Sequence, residues 1–169
     1  GYFTQLPCSD AFQVKNALQQ VATANPFLRS QIVTCDLQGA DSLYQTIFRS
    51  SEIDLLEEDW TALALNQNDL QQRLTTLALP SWSVEQQSLF SYHLVKVSDT
   101  SSFLVVAAHH SMFDGISKLR HFQQFVAAYN GQPLAACSVD DIKPWIHDRI
   151  SVTDRADSMD FWHQQLKDY

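Results

Sequence analysis

The chain has 169 residues, a formal net charge of −8 and 45% hydrophobic residues. That length allows one domain with its own core, and that composition is globular rather than disordered. The acidic balance, with no run of Lys or Arg, argues against nucleic acid or an anionic membrane as partner. Tyr2 to Leu6 alternates weakly and reads as a strand. Ser9 and Asp10 offer cap oxygens to a helix whose Ala11, Val14, Leu18, Val21 and Ala22 share one face. Asn25-Pro26 ends it, because proline disfavours helix at the residue before it. Phe27 to Val33 and Leu43 to Phe48 read as strands, the second with Tyr44, Thr46 and Phe48 on one face. The acidic EIDLLEEDW is expected to contain a short helical turn. Asn68 to Ala78 reads as a helix with Leu70, Leu74, Leu77 and Ala78 inward, closed by Pro80.

Leu89 to Val97 and Ser102 to Ala108 are strands. The polar turn Ser98-Asp99-Thr100-Ser101 between them predicts a hairpin. FLVVAA is apolar on both faces, which predicts a central strand. From Gly115 or Ile116 to Tyr129 a helix is expected, with Ile116, Leu119, Phe122, Val126 and Tyr129 as its buried stripe. Asn130-Gly131 and Pro133 stop it. A loop is expected next, then an amphipathic helix over Asp157 to Leu166 carrying Phe161 and Trp162. The order β-α-β-β-α-β-β-α-α predicts an α/β, two-layer sandwich with a mixed β-sheet.

No apolar stretch reaches the length of a membrane span, and GYFTQLPCSD has no signal-peptide pattern. Cys8, Cys35 and Cys137 are odd in number and form no CxxC pair, so no disulfide framework is expected. A reducing, cytoplasmic setting follows as the expectation. Four glycines leave no room for a glycine-rich phosphate loop, and no bound cofactor is expected.

The chemistry concentrates in FLVVAAHHSMFDGIS. His109 and His110 leave the carboxyl end of the most apolar strand, where loops are exposed yet held by rigid elements. If extended geometry continued, one imidazole would face the layer behind and the other a cleft. An imidazole can take or give a proton near neutrality. Asp114 can orient it, anchor the loop or simply cap the following helix. Gly115 admits close backbone approach and strained dihedrals. A zinc site would need His93, His121 or scattered acids at no recognisable spacing, and no metal is expected.

HHSMFDGIS resembles the HHxxxDG signature of the condensation domains of nonribosomal peptide synthetases, in the wider chloramphenicol acetyltransferase-like superfamily. Other segments resemble that family in the same order. They are NPFLRSQIV (Asn25 to Val33, the HPxLR block), SLYQTIF (Ser42 to Phe48), LFSYHLVKV (Leu89 to Val97) and DFWHQQLKDY (Asp160 to Tyr169). Asn25 stands where the family commonly has histidine, and Ser91 where it commonly has arginine. The resemblance implies that residues 1–169 are the N-terminal lobe of such a domain, without its leading helix and C-terminal lobe.

The implied activity is amide formation. An acyl or peptidyl group on one carrier protein's 4'-phosphopantetheine thioester is attacked by an amine held on a second carrier. By resemblance His110 is the catalytic histidine and His109 is structural. Asp114 forms an ion pair with Arg29, tying the loop to a neighbouring strand. Gly115 lets the substrate or a backbone amide come close. The implied partners are the C-terminal lobe, donor and acceptor carrier domains and an adenylation domain of the same megasynthase. The setting is secondary metabolism, siderophore assembly included, and FDGIS and FWHQQL resemble fungal synthetases. The lone lobe is expected to be inactive. The alternatives are an acyl-CoA-dependent acyltransferase or epimerisation domain of the same fold, and a non-catalytic lobe that docks carriers.

Overall fold

A computed structural model describes residues 1–7, 9–36, 41–82, 88–153 and 156–167. They form two compact units, Gly1–Ala136 and Cys137–Tyr169. Among the described residues all the strands lie in the first. β1 (Tyr2–Pro7) leads to α1 (Ala11–Ala24), whose first turn is capped by the Asp10 carboxylate accepting from Phe12 N at 3.0 Å. β2 (Ser30–Asp36), β3 (Asp41–Ile47) and β4 (Leu55–Asp59) follow. α2 (Gln67–Ala78), β5 (Phe90–Ser98), β6 (Ser101–Ala108) and α3 (Gly115–Tyr129) complete the unit.

The main sheet has the order β1-β6-β5-β4. β6 is antiparallel to both neighbours, and β4 runs parallel to β5, so the sheet is mixed. α2 is the crossover that a parallel β4–β5 pair requires. β2 and β3 form a separate antiparallel hairpin.

β6 is central, as FLVVAA predicts, and its side chains alternate between two cores. Leu104 and Val106 join Tyr92, Leu94, Val14, Leu18, Val21 and Phe125 under α1 and α3. Val105 joins Val95, Leu74 and Ala78 under α2. Helices therefore cover both faces of the sheet, which explains why β6 carries no polar face.

Three local expectations are corrected. Phe27 to Arg29 is not strand: Pro26–Arg29 forms a 3-10 turn and β2 begins at Ser30. Proline at the first position favours that turn, with its φ already set. The acidic LLEED segment is β4, an edge strand, not a helical turn. Carboxylates on an edge discourage pairing with other chains, so acidity and strand geometry are compatible there. In α3 the buried residues are His121, Phe125 and Ala128, whereas Ile116, Leu119 and Val126 are exposed. The inward stripe is rotated because His121 finds partners inside the core.

In the second unit α4 (Val139–Thr153) replaces part of the expected loop. Its start is a capping box: Ser138 Oγ accepts from Asp140 N at 3.1 Å, and Asp141 Oδ2 accepts from Ser138 N at 2.9 Å. Pro144 lies inside it. α5 (Ala156–Gln165) confirms the final helix, with Phe161 and Trp162 exposed and packed edge to face. Among the described residues Cys35 and Cys137 are free thiols, and no helix is long and apolar enough to cross a membrane.

Candidate active site

The loop after β6 carries the two histidines. Extended geometry stops at Ala108 and the chain turns, with Met112 N donating to His109 O at 3.0 Å. His109 still holds to the sheet, because its N–H reaches Leu89 O at 2.9 Å. Its ring is half-buried. Ser111 Oγ lies 2.7 Å from Nδ1 and the Ser111 N–H donates to Nδ1 at 3.2 Å. Nδ1 is therefore an acceptor, and the neutral ring carries its proton on Nε2. His110, at the next position, is exposed. The two imidazoles thus separate into one tied to its own loop and one presented to solvent. A turn produces that separation, and not the alternation of a continued strand.

The loop's other end is fixed by apolar burial. Phe113 is buried and meets Phe90 and His121 edge to face, at centroid distances of 5.8 and 5.7 Å. Asp114 then caps α3, its Oδ1 accepting from Ser117 N at 2.7 Å. That bond holds the Asp114 carboxyl below the usual carboxylate range.

The expected Asp114–Arg29 ion pair is not formed. Arg29 Nε donates to Phe48 O at 3.1 Å, and Nη1 donates to Ala22 O at 2.5 Å and Thr23 O at 2.8 Å. A guanidinium at the carboxyl end of α1 satisfies carbonyls that have no helical partner and complements the helix dipole. Arg29 therefore fastens α1 to the end of β3, while Asp114 serves its own helix. The simpler role for Asp114, helix cap, is the one its geometry performs.

Gly115 also departs from expectation. Its φ is not in the left-handed region, and a Cβ built there would meet nothing within 4 Å. Neither backbone strain nor internal crowding requires glycine at this position.

Beneath the loop sits His121, which the expected apolar stripe of α3 left out. It is 3% exposed. Tyr2 Oη lies 2.8 Å from Nδ1, and Tyr92 Oη lies 3.4 Å from Nε2. A neutral imidazole has one donor and one acceptor nitrogen, so one tyrosine donates a hydrogen bond to the ring and the other accepts one. Burial pushes the His121 pKa down to about 4, and both phenols upward. The spacing His121, Phe125, Ala128 was the readable signal, since it marks one helical face as cleanly as the aliphatic residues do. His93, the other histidine weighed as a metal ligand, pairs with Glu58 on β4. Among the described residues no group of three His, Cys, Asp or Glu side chains is arranged to hold a metal ion.

A mixed α/β lobe with an exposed histidine after its central strand defines a class, and comparison identifies it. The family model described as Condensation domain matches residues 7–169. The chain belongs to the condensation-domain family. It is 26% identical over 164 residues to nonribosomal peptide synthetase sidC of Arthroderma benhamiae, covering 94% of this chain and 3% of that protein. It is 27% identical over 166 residues to nonribosomal peptide synthetase 6 of Cochliobolus heterostrophus, covering 96% of this chain and 8% of that one. It thus spans a small part of the relatives it matches.

The fold is similar to the starter condensation domain of rhizomide synthetase RzmA, with a TM-score of 0.69 and 23% identity over 91% of this chain and 39% of that one. It is also similar to a condensation domain of the enacyloxin polyketide synthase, with a TM-score of 0.71 and 18% identity over 98% of this chain and 32% of that one. The expected chloramphenicol acetyltransferase-like α/β lobe is therefore the fold.

Proposed function

We propose that this lobe supplies the histidine wall of a condensation site, in which an acyl or peptidyl group passes from one carrier-bound phosphopantetheine thioester to an amine on a second carrier. The observation that carries this reading is the exposed His110, one residue beyond a histidine bonded to the sheet and four before the cap of α3. Anchors on either side hold the loop while the ring itself stays accessible.

An α-amino group has a pKa of about 7.7–8.0, so much of it is protonated at neutrality and cannot attack. His110 takes the amine proton as nitrogen adds to the thioester carbonyl, then returns a proton as the thiolate leaves. Its contribution is proton transfer together with orientation of the amine, and orientation alone can lower a barrier by several kcal/mol. His109 positions the loop and does not touch substrate. The open space at Gly115 is where the reacting chain passes. The partners are a second lobe, two carrier domains and an adenylation domain of a cytoplasmic megasynthase, and the lone lobe forms no amide.

The test joins this lobe to a second condensation lobe and supplies donor and acceptor carriers bearing aminoacyl groups. Amide product that disappears with His110→Ala supports the proposal. Transfer from free acyl-CoA without carriers assigns the lobe to the acyltransferases of this fold. Carrier binding without product from any donor makes it a docking lobe.

A further inference from the structure

We propose that Ser91, His93 and Glu58 form a second reactive site, a serine nucleophile that takes acyl groups from small esters and thioesters. The three side chains lie on the α2 face of the sheet. Ser91 and His93 are two apart on β5, and Glu58 pairs with Val95 in the register of neighbouring β4. Alternation along each strand puts all three on the same side. Ser91 Oγ lies 2.7 Å from His93 Nε2, and His93 Nδ1 lies 3.0 Å from Glu58 Oε1.

That order of contacts fixes each role. The carboxylate can only accept, so Nδ1 carries a proton and donates it to Glu58. Nε2 is then the acceptor and faces the Ser91 hydroxyl. The carboxylate is itself oriented, since Trp60 Nε1 donates to Glu58 Oε2 at 3.0 Å. The Arg73 guanidinium covers the Trp60 ring at 5.9 Å. His93 is 13% exposed, which keeps bulk water off most of the ring. A hydroxyl, an imidazole and a carboxylate in hydrogen-bond sequence activate a nucleophile by base assistance.

Ser91 also has somewhere to receive a substrate. It lines a cavity of about 290 Å3 with Gln31, Phe48 and Leu56; Phe90 and Tyr92 of the α1 face line it too, and His93 and Glu58 do not. That volume is at the small end for ligand sites, which selects short acyl groups. Phe48 and Leu56 give it apolar walls, and Gln31 is the side-chain amide available to a carbonyl oxygen.

The chemistry closes without another reagent. Ser91 Oγ forms a bond to the acyl carbon as its proton passes to His93 Nε2. The C–O or C–S bond of the substrate breaks, and the departing alkoxide or thiolate takes that proton. Water then adds to the acyl-serine, giving its proton to Nε2, and Ser91 recovers a proton as the carboxylic acid leaves. Ser91 and His93 are catalytic residues in this step, and Glu58 is a positioning residue.

The experiment treats the full 169-residue chain with an alkyl fluorophosphonate, which replaces fluoride with the serine oxygen, and locates the adduct by intact mass and peptide mapping. One adduct on Ser91 is expected, absent in Ser91→Ala. His93→Gln should slow labelling at least about 100-fold, the usual contribution of a general base. Glu58→Gln should lower the maximal labelling rate at least tenfold while leaving the half-saturating probe concentration unchanged, a split that a purely structural carboxylate would not produce. Hydrolysis of p-nitrophenyl acetate should show a burst in the unaltered chain. No adduct on the unaltered protein, an adduct on another serine, or labelling indifferent to His93→Gln would each overturn the proposal. The primary readout needs no variant to fold, and none of it depends on amide formation at His110.

Discussion

The imidazole of His121 and the phenol of Tyr2 meet at 2.8 Å across 119 residues of sequence, joining the first strand to the helix that begins at the candidate active loop. The ring is neutral because burial opposes its charge, and it has hydroxyls at both nitrogens. Protonation would make both ring nitrogens donors, so the tyrosine that had donated to the ring would have to turn its hydroxyl hydrogen away from the ring and accept instead.

The sign of the pH dependence follows. The folded pKa of His121, about 4, lies below its ordinary value of 6.5. Between those values the unfolded chain binds more protons, so stability is complete above about pH 6.5 and falls as pH drops toward 4. The expected loss is roughly 3 kcal/mol across that window. His121→Gln keeps hydrogen-bonding atoms and does not titrate. Urea melts at intervals from pH 7 to 4.5 should show a flatter slope for this variant than for the unaltered chain. Equal slopes would refute the assignment.

Asp114 and Arg29 have no partner in common, so their effects on stability should be independent. Asp114→Ala removes the α3 cap and lowers the urea midpoint. Arg29→Ala removes bonds from a charged donor to three carbonyls and should cost about 1.5–3 kcal/mol. In a double-mutant cycle the two losses should simply add. A clear coupling energy would restore the ion pair.

Gly115→Ala should fold at least as well as the original. A Cβ meets nothing there, and alanine in place of a helical glycine stabilises by about 0.4–1 kcal/mol where the backbone fits. In the proposed two-lobe assembly the same change should reduce amide formation, because the added methyl enters the space assigned to substrate. Thermal melting and turnover are measured on the same variant, and turnover equal to the original would remove Gly115 from the site.

Leu104→Ala should be among the costliest single changes. Leu104 is fully buried on the central strand, and deletions of this kind cost about 2–5 kcal/mol. His110→Ala, by contrast, removes an exposed ring and should leave stability within about 0.5 kcal/mol. Chemical denaturation compares the two directly.

Where side-chain burial follows a simple period, the sequence was readable. The face of α1, the β5–β6 hairpin and the two-sided burial of β6 all appeared from spacing alone. The acidic β4 was not readable, because edge position is a tertiary fact and a carboxylate on an edge looks like one on a solvated turn. The α3 stripe was misplaced for a related reason. Hydropathy counts His121 as polar and Ile116 as apolar, whereas burial depends on the tyrosines waiting at either ring nitrogen. His110 emerged from motif and strand position together. The Arg29 partner did not, since nothing in one chain's letters distinguishes a carboxylate from three backbone carbonyls.

The register of β1 sets an order of events during synthesis. Tyr2 pairs with Val106 and Pro7 with Ser101, so β1 has its partner about a hundred residues later. Until Ala108 has emerged, β1 is an unpaired edge and α1 has no sheet on which to bury its apolar face. Pairings so distant close slowly, because the entropy of the long loop is lost before the contacts form. The strand that leads into the His110 loop is therefore the one that pairs with β1 and β5. The candidate loop and the core under α1 therefore appear together, and a nascent chain that stops short of β6 has neither.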